Sequence, residues 1–207
     1  MIVIFLKKIE NKPLDFPLSE YKKEKFWKTT NEKRKTELIE GERLLIYGLK
    51  NLGINFSLPL SIEITEFGKP YLIDKNLFFS LSHSKNYIAC SISISEIGLD
   101  IEEVEEKKYK IEKKLFTEFE EKSKEKDLDY VYKLWTIKEA YTKLIGTGLI
   151  TNLKDINTKY VGIYGEYNKY LVNDAHAFNR IITNLSVSVV TRLNDCEIVL
   201  REVSGEN

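Results

Sequence analysis

The chain has 207 residues, enough to bury a core as one large domain or two small ones. With 43% hydrophobic and 31% charged residues it has the composition of an ordinary soluble globular protein. Its 32 basic and 32 acidic residues cancel, which argues against a general nucleic-acid binder held by many phosphate contacts. Cys90 and Cys196 lie in apolar runs and offer neither a disulfide framework nor a zinc spacing, so both read as buried thiols. The apolar start, Ile2 to Leu6, is too short to span a membrane and has no cleavage-site pattern. A cytoplasmic protein without membrane attachment is expected.

The first residues read as a core strand, and Pro13 and Pro17 punctuate the loop after it. From about Asn31 to Lys50, Leu38, Ile39, Leu45, Ile46 and Leu49 recur at helical spacing, and Gly53 lies just beyond the end. The cluster Lys33-Arg34-Lys35 falls at the start of that helix, where cations gain nothing from the helix dipole. It is either a solvated first turn or a contact for an anionic ligand. A short strand from Ile62 to Glu66 leads into Phe67-Gly68-Lys69-Pro70, a turn that presents one cation.

Residues 77–81 and 87–94 read as paired strands, with Ser82-His83-Ser84-Lys85-Asn86 connecting them. The hydroxyls, imidazole and backbone N–H groups of that connection suit a phosphate cradle, although a plain hairpin turn uses similar residues. His83 is one of two histidines, and no nucleophile-elbow pattern accompanies it, which excludes a serine-hydrolase triad of that kind.

Near the midpoint comes Ile97-Gly98-Leu99-Asp100-Ile101-Glu102. In an extended chain Ile97, Leu99 and Ile101 face one way, and Asp100 and Glu102 face the other. Two carboxylates in one small space repel unless a cation lies between them, and a hard ion such as Mg²⁺ suits them. A strand ending in solvated acids is the other reading, which Glu103, Glu105 and Glu106 favour.

The following region is strongly charged, with Ile111, Leu115, Phe116 and Phe119 marking one helix face and 120–129 a solvated end. A second long helix is predicted over 128–145, its stripe formed by Leu128, Val131, Trp135, Thr142 and Ile145. Lys138 and Glu139 interrupt that stripe. Glu139 and Lys143 stand four apart, the spacing of a surface ion pair. Gly146-Thr147-Gly148 ends the helix. Beyond it lie short strands, clearest in Leu185-Ser186-Val187-Ser188-Val189, whose alternation predicts one buried and one open face. Residues 173–179 read as a mobile loop. One long helix and several strands in each half suggest a duplication, with Gly98 as the hinge.

Four motifs stand in order: Gly68-Lys69-Pro70, Ser82-His83-Ser84, Gly98-Leu99-Asp100-Ile101-Glu102, and the run from Trp135-Thr136-Ile137-Lys138-Glu139 to Gly148-Leu149. Together they resemble the 4′-phosphopantetheinyl transferases of the surfactin-synthetase-activating type. The resemblance spans about 67–149 and extends more weakly upstream through Lys33 and Arg34.

It implies an α+β fold of two pseudo-symmetric α/β-type subdomains, 1–97 and 98–207, each a long helix on a small, mostly antiparallel sheet. Coenzyme A, the co-substrate, is expected in the cleft between them. The implied reaction moves 4′-phosphopantetheine onto a serine of an acidic acyl or peptidyl carrier protein, releasing adenosine 3′,5′-bisphosphate. Asp100, Glu102 and Glu139 match the family's Mg²⁺ site, which Mn²⁺ also suits. Glu139 is the expected general base and Lys143 faces the leaving phosphate. Lys69, Ser82 and His83 match positions that hold coenzyme A phosphates, with Lys33, Arg34 and Lys138 as further contacts. Trp135 is assigned to packing, and Lys154 and Lys159 to the carrier surface. Lys85 departs from the small residue common in the family. A monomer is expected, without nucleic acid. The competing reading is a noncatalytic coenzyme A-binding assembly module.

Overall fold

The computed structural model describes residues 1–10, 16–73, 77–106, 115–121 and 127–204. Pro13, Ile111 and residues 122–126 of the stretch 120–129 read as a solvated end therefore lie outside the described residues. Mixed α and β structure is present throughout, grouped into two units: Met1–Ile94 with Cys196–Asn207, and Ser95–Asp195.

The first unit is built on a four-stranded sheet. Strand β1 (Ile2–Lys8) is apolar on both faces and buried from Ile2 to Lys7, as a central strand must be. Helices α1 (Glu20–Lys28) and α2 (Glu32–Asn51) follow, then a two-stranded hairpin of β2 (Ile62–Ile64) and β3 (Pro70–Leu72). Strands β4 (Phe78–Ser84) and β5 (Tyr87–Ser93) complete the local sequence. The sheet order is β11-β1-β5-β4, with β11 (Ile198–Val203) parallel to β1 and the other pairs antiparallel. Whereas the sequence reading placed 98–207 together, the last strand thus belongs to the first unit's sheet.

Helix α2 starts where predicted, because the Asn31 side chain accepts from the Arg34 N–H at 3.1 Å. Its stripe of Leu44, Leu45, Ile46 and Leu49 packs on Phe5, Phe79, Ile88 and Ile92 of the sheet. Each such side chain contributes roughly 1.5–3 kcal/mol by leaving water. Buried charges accompany this core. Glu40 accepts from Lys7 at 2.9 Å and Arg43 at 2.6 Å, and Glu42 accepts from the N–H and hydroxyl of Ser19. Lys22 is buried and donates to the Leu38 carbonyl; burial pulls its pKa down to about 8. Nothing in the local sequence distinguished these charges from surface ones. Cys90 and Cys196 are free and buried, as expected, and burial pushes the Cys90 thiol up to about 12.

The second unit is a five-stranded antiparallel sheet of order β6-β10-β9-β8-β7: β6 is Ile97–Glu103, β7 Thr158–Tyr164, β8 Tyr167–Val172, β9 Ala175–Ile182 and β10 Leu185–Thr191. Before the sheet's later strands come the one-turn helix α3 (Glu118–Glu121) and the long α4 (Leu128–Ile145). A capping box fixes α3: the Thr117 N–H donates to Glu120 Oε2, and the Glu120 N–H donates to Thr117 Oγ1. Asp127 caps α4, accepting from the Tyr130 N–H at 2.7 Å, and Gly146 ends it with φ 81°.

Three readings change. The stretch expected as a mobile loop at 173–179 is mostly β9, since Ala175, Ala177, Phe178 and Asn179 are buried in the sheet. The serines of β10, expected on an open face, are fully buried because α4 covers them. Gly98 is no hinge but a buried residue within β6. A Cβ there would lie 1.9 Å from the Ala140 carbonyl oxygen, so its bareness is what lets α4 approach the sheet. Among the described residues, no helix is long and apolar enough to cross a membrane.

Candidate active site

Helix α4 and strand β6 set the site. In β6, Asp100 and Glu102 alternate with Leu99 and Ile101, so both carboxylates stand on the sheet face that α4 covers. Glu139 reaches that face from the middle of α4. Three acids share the region, and their mutual influence is visible in Glu139. Burial raises its proton affinity most, and the negative charges of Asp100 and Glu102 add to the rise while Lys143 opposes it.

Lys143, one turn after Glu139, donates to Asp100 Oδ1 at 2.8 Å and to the Leu99 carbonyl at 2.9 Å. The spacing that read as a Glu139–Lys143 surface pair instead sends the lysine across to β6. Among the described residues, no three His, Cys, Asp or Glu side chains are drawn together as a metal-holding group.

Lys138 requires a correction. It is fully buried, and its ammonium donates to Glu120 at 2.6 Å and to the carbonyls of Leu115 and Leu153 at 2.7 and 3.1 Å. An ammonium so enclosed is a structural cation rather than a phosphate contact. It ties α4 to α3 and to the turn before β7. Glu120 Oε1 also accepts from the Thr158 hydroxyl at 2.5 Å. Trp135 packs against the cluster of Leu115, Phe116, Val131 and Leu134, as its place on the stripe suggested.

The first unit holds the other predicted residues. Ser82, His83 and Ser84 are not a loop: β4 runs through Ser84 and only Lys85 and Asn86 turn the chain, with Lys85 at φ 40°. The serines misled because a buried strand face made of hydroxyls carries no apolar signal. Alternation puts Ser82 and Ser84, both buried, on one face and the exposed His83 on the other. His83 meets the start of α2. A guanidinium can only donate, so Arg34 Nη1, at 2.7 Å, donates to His83 Nε2, and Glu37 lies within 3.4 Å of the same nitrogen. Arg34 also donates to Glu37 at 3.1 Å. Lys33 is exposed in the same first turn, and Lys69 sits in the turn of the β2–β3 hairpin. The structure therefore joins Arg34 with His83, and Asp100 with Lys143 near Glu139. Lys154 and Lys159 are exposed.

Comparison with known proteins points the same way. The family model described as the 4'-phosphopantetheinyl transferase superfamily matches residues 96–169, which include β6 and α4. The chain is 30% identical over 164 residues to 4'-phosphopantetheinyl transferase gsp of Aneurinibacillus migulanus, covering 69% of this chain and 68% of that one. It is 33% identical over 128 residues to a 4'-phosphopantetheinyl transferase of Bacillus subtilis, covering 59% and 54%. To 4'-phosphopantetheinyl transferase Sfp of Bacillus subtilis (strain 168) it is 34% identical over 100 residues, 45% of each chain. The match thus spans about two thirds of the first relative's length and about half of the other two.

Proposed function

The chain belongs to the 4′-phosphopantetheinyl transferase superfamily, and from that premise we propose that it moves 4′-phosphopantetheine from coenzyme A to a serine of an apo carrier protein. The observation that carries this reading is that Asp100 and Glu102 stand on the sheet face that α4 covers, near enough for Glu139 to feel both charges, with Lys143 bonded to Asp100. An acid whose proton affinity is raised by burial and by neighbouring charge suits general-base work.

In this reading Glu139 takes the proton of the carrier serine as its oxygen bonds to the pantetheine-side phosphorus. The bond from that phosphorus to the bridging oxygen breaks, and adenosine 3′,5′-bisphosphate leaves with the electron pair. Lys143 adds positive charge beside the leaving group. The donor set is made of carboxylate oxygens crowded by like charge, which fits a hard divalent cation, Mg²⁺ or Mn²⁺. Asp100, Glu102 and Glu139 would hold it, and when bound it would offset phosphoryl charge as a Lewis acid.

Arg34 and His83 are the proposed coenzyme A phosphate contacts, with Lys33 and Lys69 as further cations. The Arg34–Glu37–His83 group supports this, because an arriving phosphate can take over donors that now serve a carboxylate. The exposed Lys154 and Lys159 suit an acidic carrier surface. The similarity of the two units, each one long helix over a mainly antiparallel sheet, supports the duplication read from sequence.

Intact-mass spectrometry of a panel of apo carrier proteins, incubated with this protein, coenzyme A and Mg²⁺, tests the proposal. A gain of one phosphopantetheine that chelator abolishes is expected. Coenzyme A binding without transfer to any carrier would overturn it in favour of a noncatalytic assembly module.

A further inference from the structure

Beneath α4 lies a second polar group that the proposed chemistry does not use. Thr136, Asn179, Ser186 and Ser188 are all fully buried. Thr136 Oγ1 lies 3.0 Å from Ser186 Oγ and 2.7 Å from Ser188 Oγ, and Asn179 Nδ2 donates to the same two oxygens at 3.0 and 2.9 Å. Thr136 also reaches the Tyr132 carbonyl, at 2.9 Å.

Counting protons shows that these contacts can be satisfied together. When the single Thr136 proton goes to the Tyr132 carbonyl, its oxygen accepts from both serines, and each serine oxygen accepts one of the two Asn179 amide hydrogens. Thr136 also lies 3.2 Å from the Lys133 carbonyl and Ser186 3.4 Å from that of Tyr132, so the hydroxyls have further acceptors in the same helix turn. In every arrangement the group bonds β9 and β10 to the backbone of α4.

Register places this group beside the acids. Ser188 is the cross-strand partner of Asp100 and Ser186 that of Glu102, and Asn179 in turn pairs with Ser188. Cross-strand partners project from the same sheet face. The row Asp100, Ser188, Asn179 is therefore continuous, with Thr136 above it and Glu139 three residues further along the helix. The neighbouring row contains Gly98, Val190 and Ala177, over which the apolar side of α4 packs. Apolar contact lets a helix slide by fractions of an ångström at little cost, whereas hydrogen bonds fix distance and direction.

Resting on the assignment of Glu139, Asp100 and Glu102 as the reacting acids, we propose that Thr136, Ser186, Ser188 and Asn179 are positioning residues. They lock α4 to the β6–β10 face and so set Glu139 against the two β6 carboxylates. Gly98 permits the approach of the helix, and the hydroxyl group fixes where along the sheet it stops.

The test uses the full chain carrying Thr136→Val with Ser188→Ala, Ser188→Ala alone, and Thr136→Ser, which keeps the hydroxyl. Denaturation monitored by circular dichroism selects the variants that are folded. Mn²⁺ binding is read by electron paramagnetic resonance without other substrates, and transfer is read as kcat and KM for coenzyme A. Loss of groups that orient metal ligands costs about 10–100-fold in metal affinity or activity. The folded hydroxyl-deleted variants should therefore lose about tenfold or more in kcat and in Mn²⁺ affinity, with KM for coenzyme A unchanged, and Thr136→Ser should match the parent. A folded double variant with parental Mn²⁺ affinity and kcat overturns the proposal, as does an equal loss in Thr136→Ser. Should the parent bind Mn²⁺ yet transfer nothing, the functional reading fails while the Mn²⁺ comparison still decides the positioning role.

Discussion

Lys143 and Asp100 are joined by a 2.8 Å hydrogen bond from ammonium to carboxylate, and the same lysine reaches the carbonyl of Leu99. This places positive charge between two elements whose acids repel. Glu139 feels that charge as a lowering influence, outweighed by burial and by its acidic neighbours, so its carboxyl titrates above the ordinary 4.5. The folded protein then holds that proton more tightly than the unfolded one. Its stabilising contribution is complete below 4.5 and is lost as pH rises through the folded value. In chelator, Glu139→Gln should therefore be more stable than the parent at neutral pH and indistinguishable from it below 4.5. Urea titrations across that range check the sign.

Gly98→Ala should separate α4 from β6. The added methyl would meet the Ala140 oxygen at 1.9 Å and the Leu144 nitrogen at 2.6 Å, both backbone atoms that cannot rotate away. Overpacking typically costs 1–3 kcal/mol, and a backbone collision belongs at the top of that range, about 3 kcal/mol or more. Chemical denaturation measures it. A neutral substitution would mean that the helix does not sit this close.

Lys138→Met distinguishes a structural cation from a ligand contact. Removing the lysine leaves the Glu120 carboxylate buried without its neutralising cation, and breaking a buried pair from one side costs about 3–5 kcal/mol. The folded fraction should keep its KM for coenzyme A. A selective rise in that KM, with stability unchanged, would return Lys138 to the phosphate site.

Arg34→Ala should raise KM for coenzyme A about tenfold and leave kcat near the parent, as expected for an interaction made equally in ground and transition states. His83→Ala should act in the same direction, and the double variant should cost less than the sum, because the two side chains share one hydrogen bond. Strictly additive effects, or a loss in kcat alone, would contradict a shared phosphate contact.

Periodicity and caps made both long helices legible. Leu38, Ile39, Leu45, Ile46 and Leu49 fall on one face of α2, and Asn31 and Gly146 mark a start and an end that the structure keeps. The alternation at Asp100 and Glu102 was equally readable. What the sequence concealed were polar residues buried for reasons that lie far away in the chain. Ser82 and Ser84 looked like a loop, and Ser186 and Ser188 looked like a wet face, because hydroxyls satisfied by distant partners carry no hydrophobic signal. Lys138 reads as a phosphate contact in the sequence because its partner, Glu120, stands 18 residues earlier on another element. The pairing of β11 with β1 is a relation between opposite ends of the chain, which no local pattern encodes.

That pairing bears on how the molecule is made. Ile2 meets Ile198, and the whole second unit, Ser95 to Asp195, is synthesised between the two partners. The second unit is continuous in sequence, so none of its strand pairings waits for a segment outside it. The first must wait, holding one side of an almost wholly apolar β1 open until the last strand arrives. Contacts so remote in sequence form slowly, and an unpaired apolar edge invites pairing with other chains in the meantime. Removal of the segment from Ile198 onward would not trim a tail. It would leave that open edge permanent, so aggregation during synthesis, rather than a weakened site, is the expected consequence of losing β11.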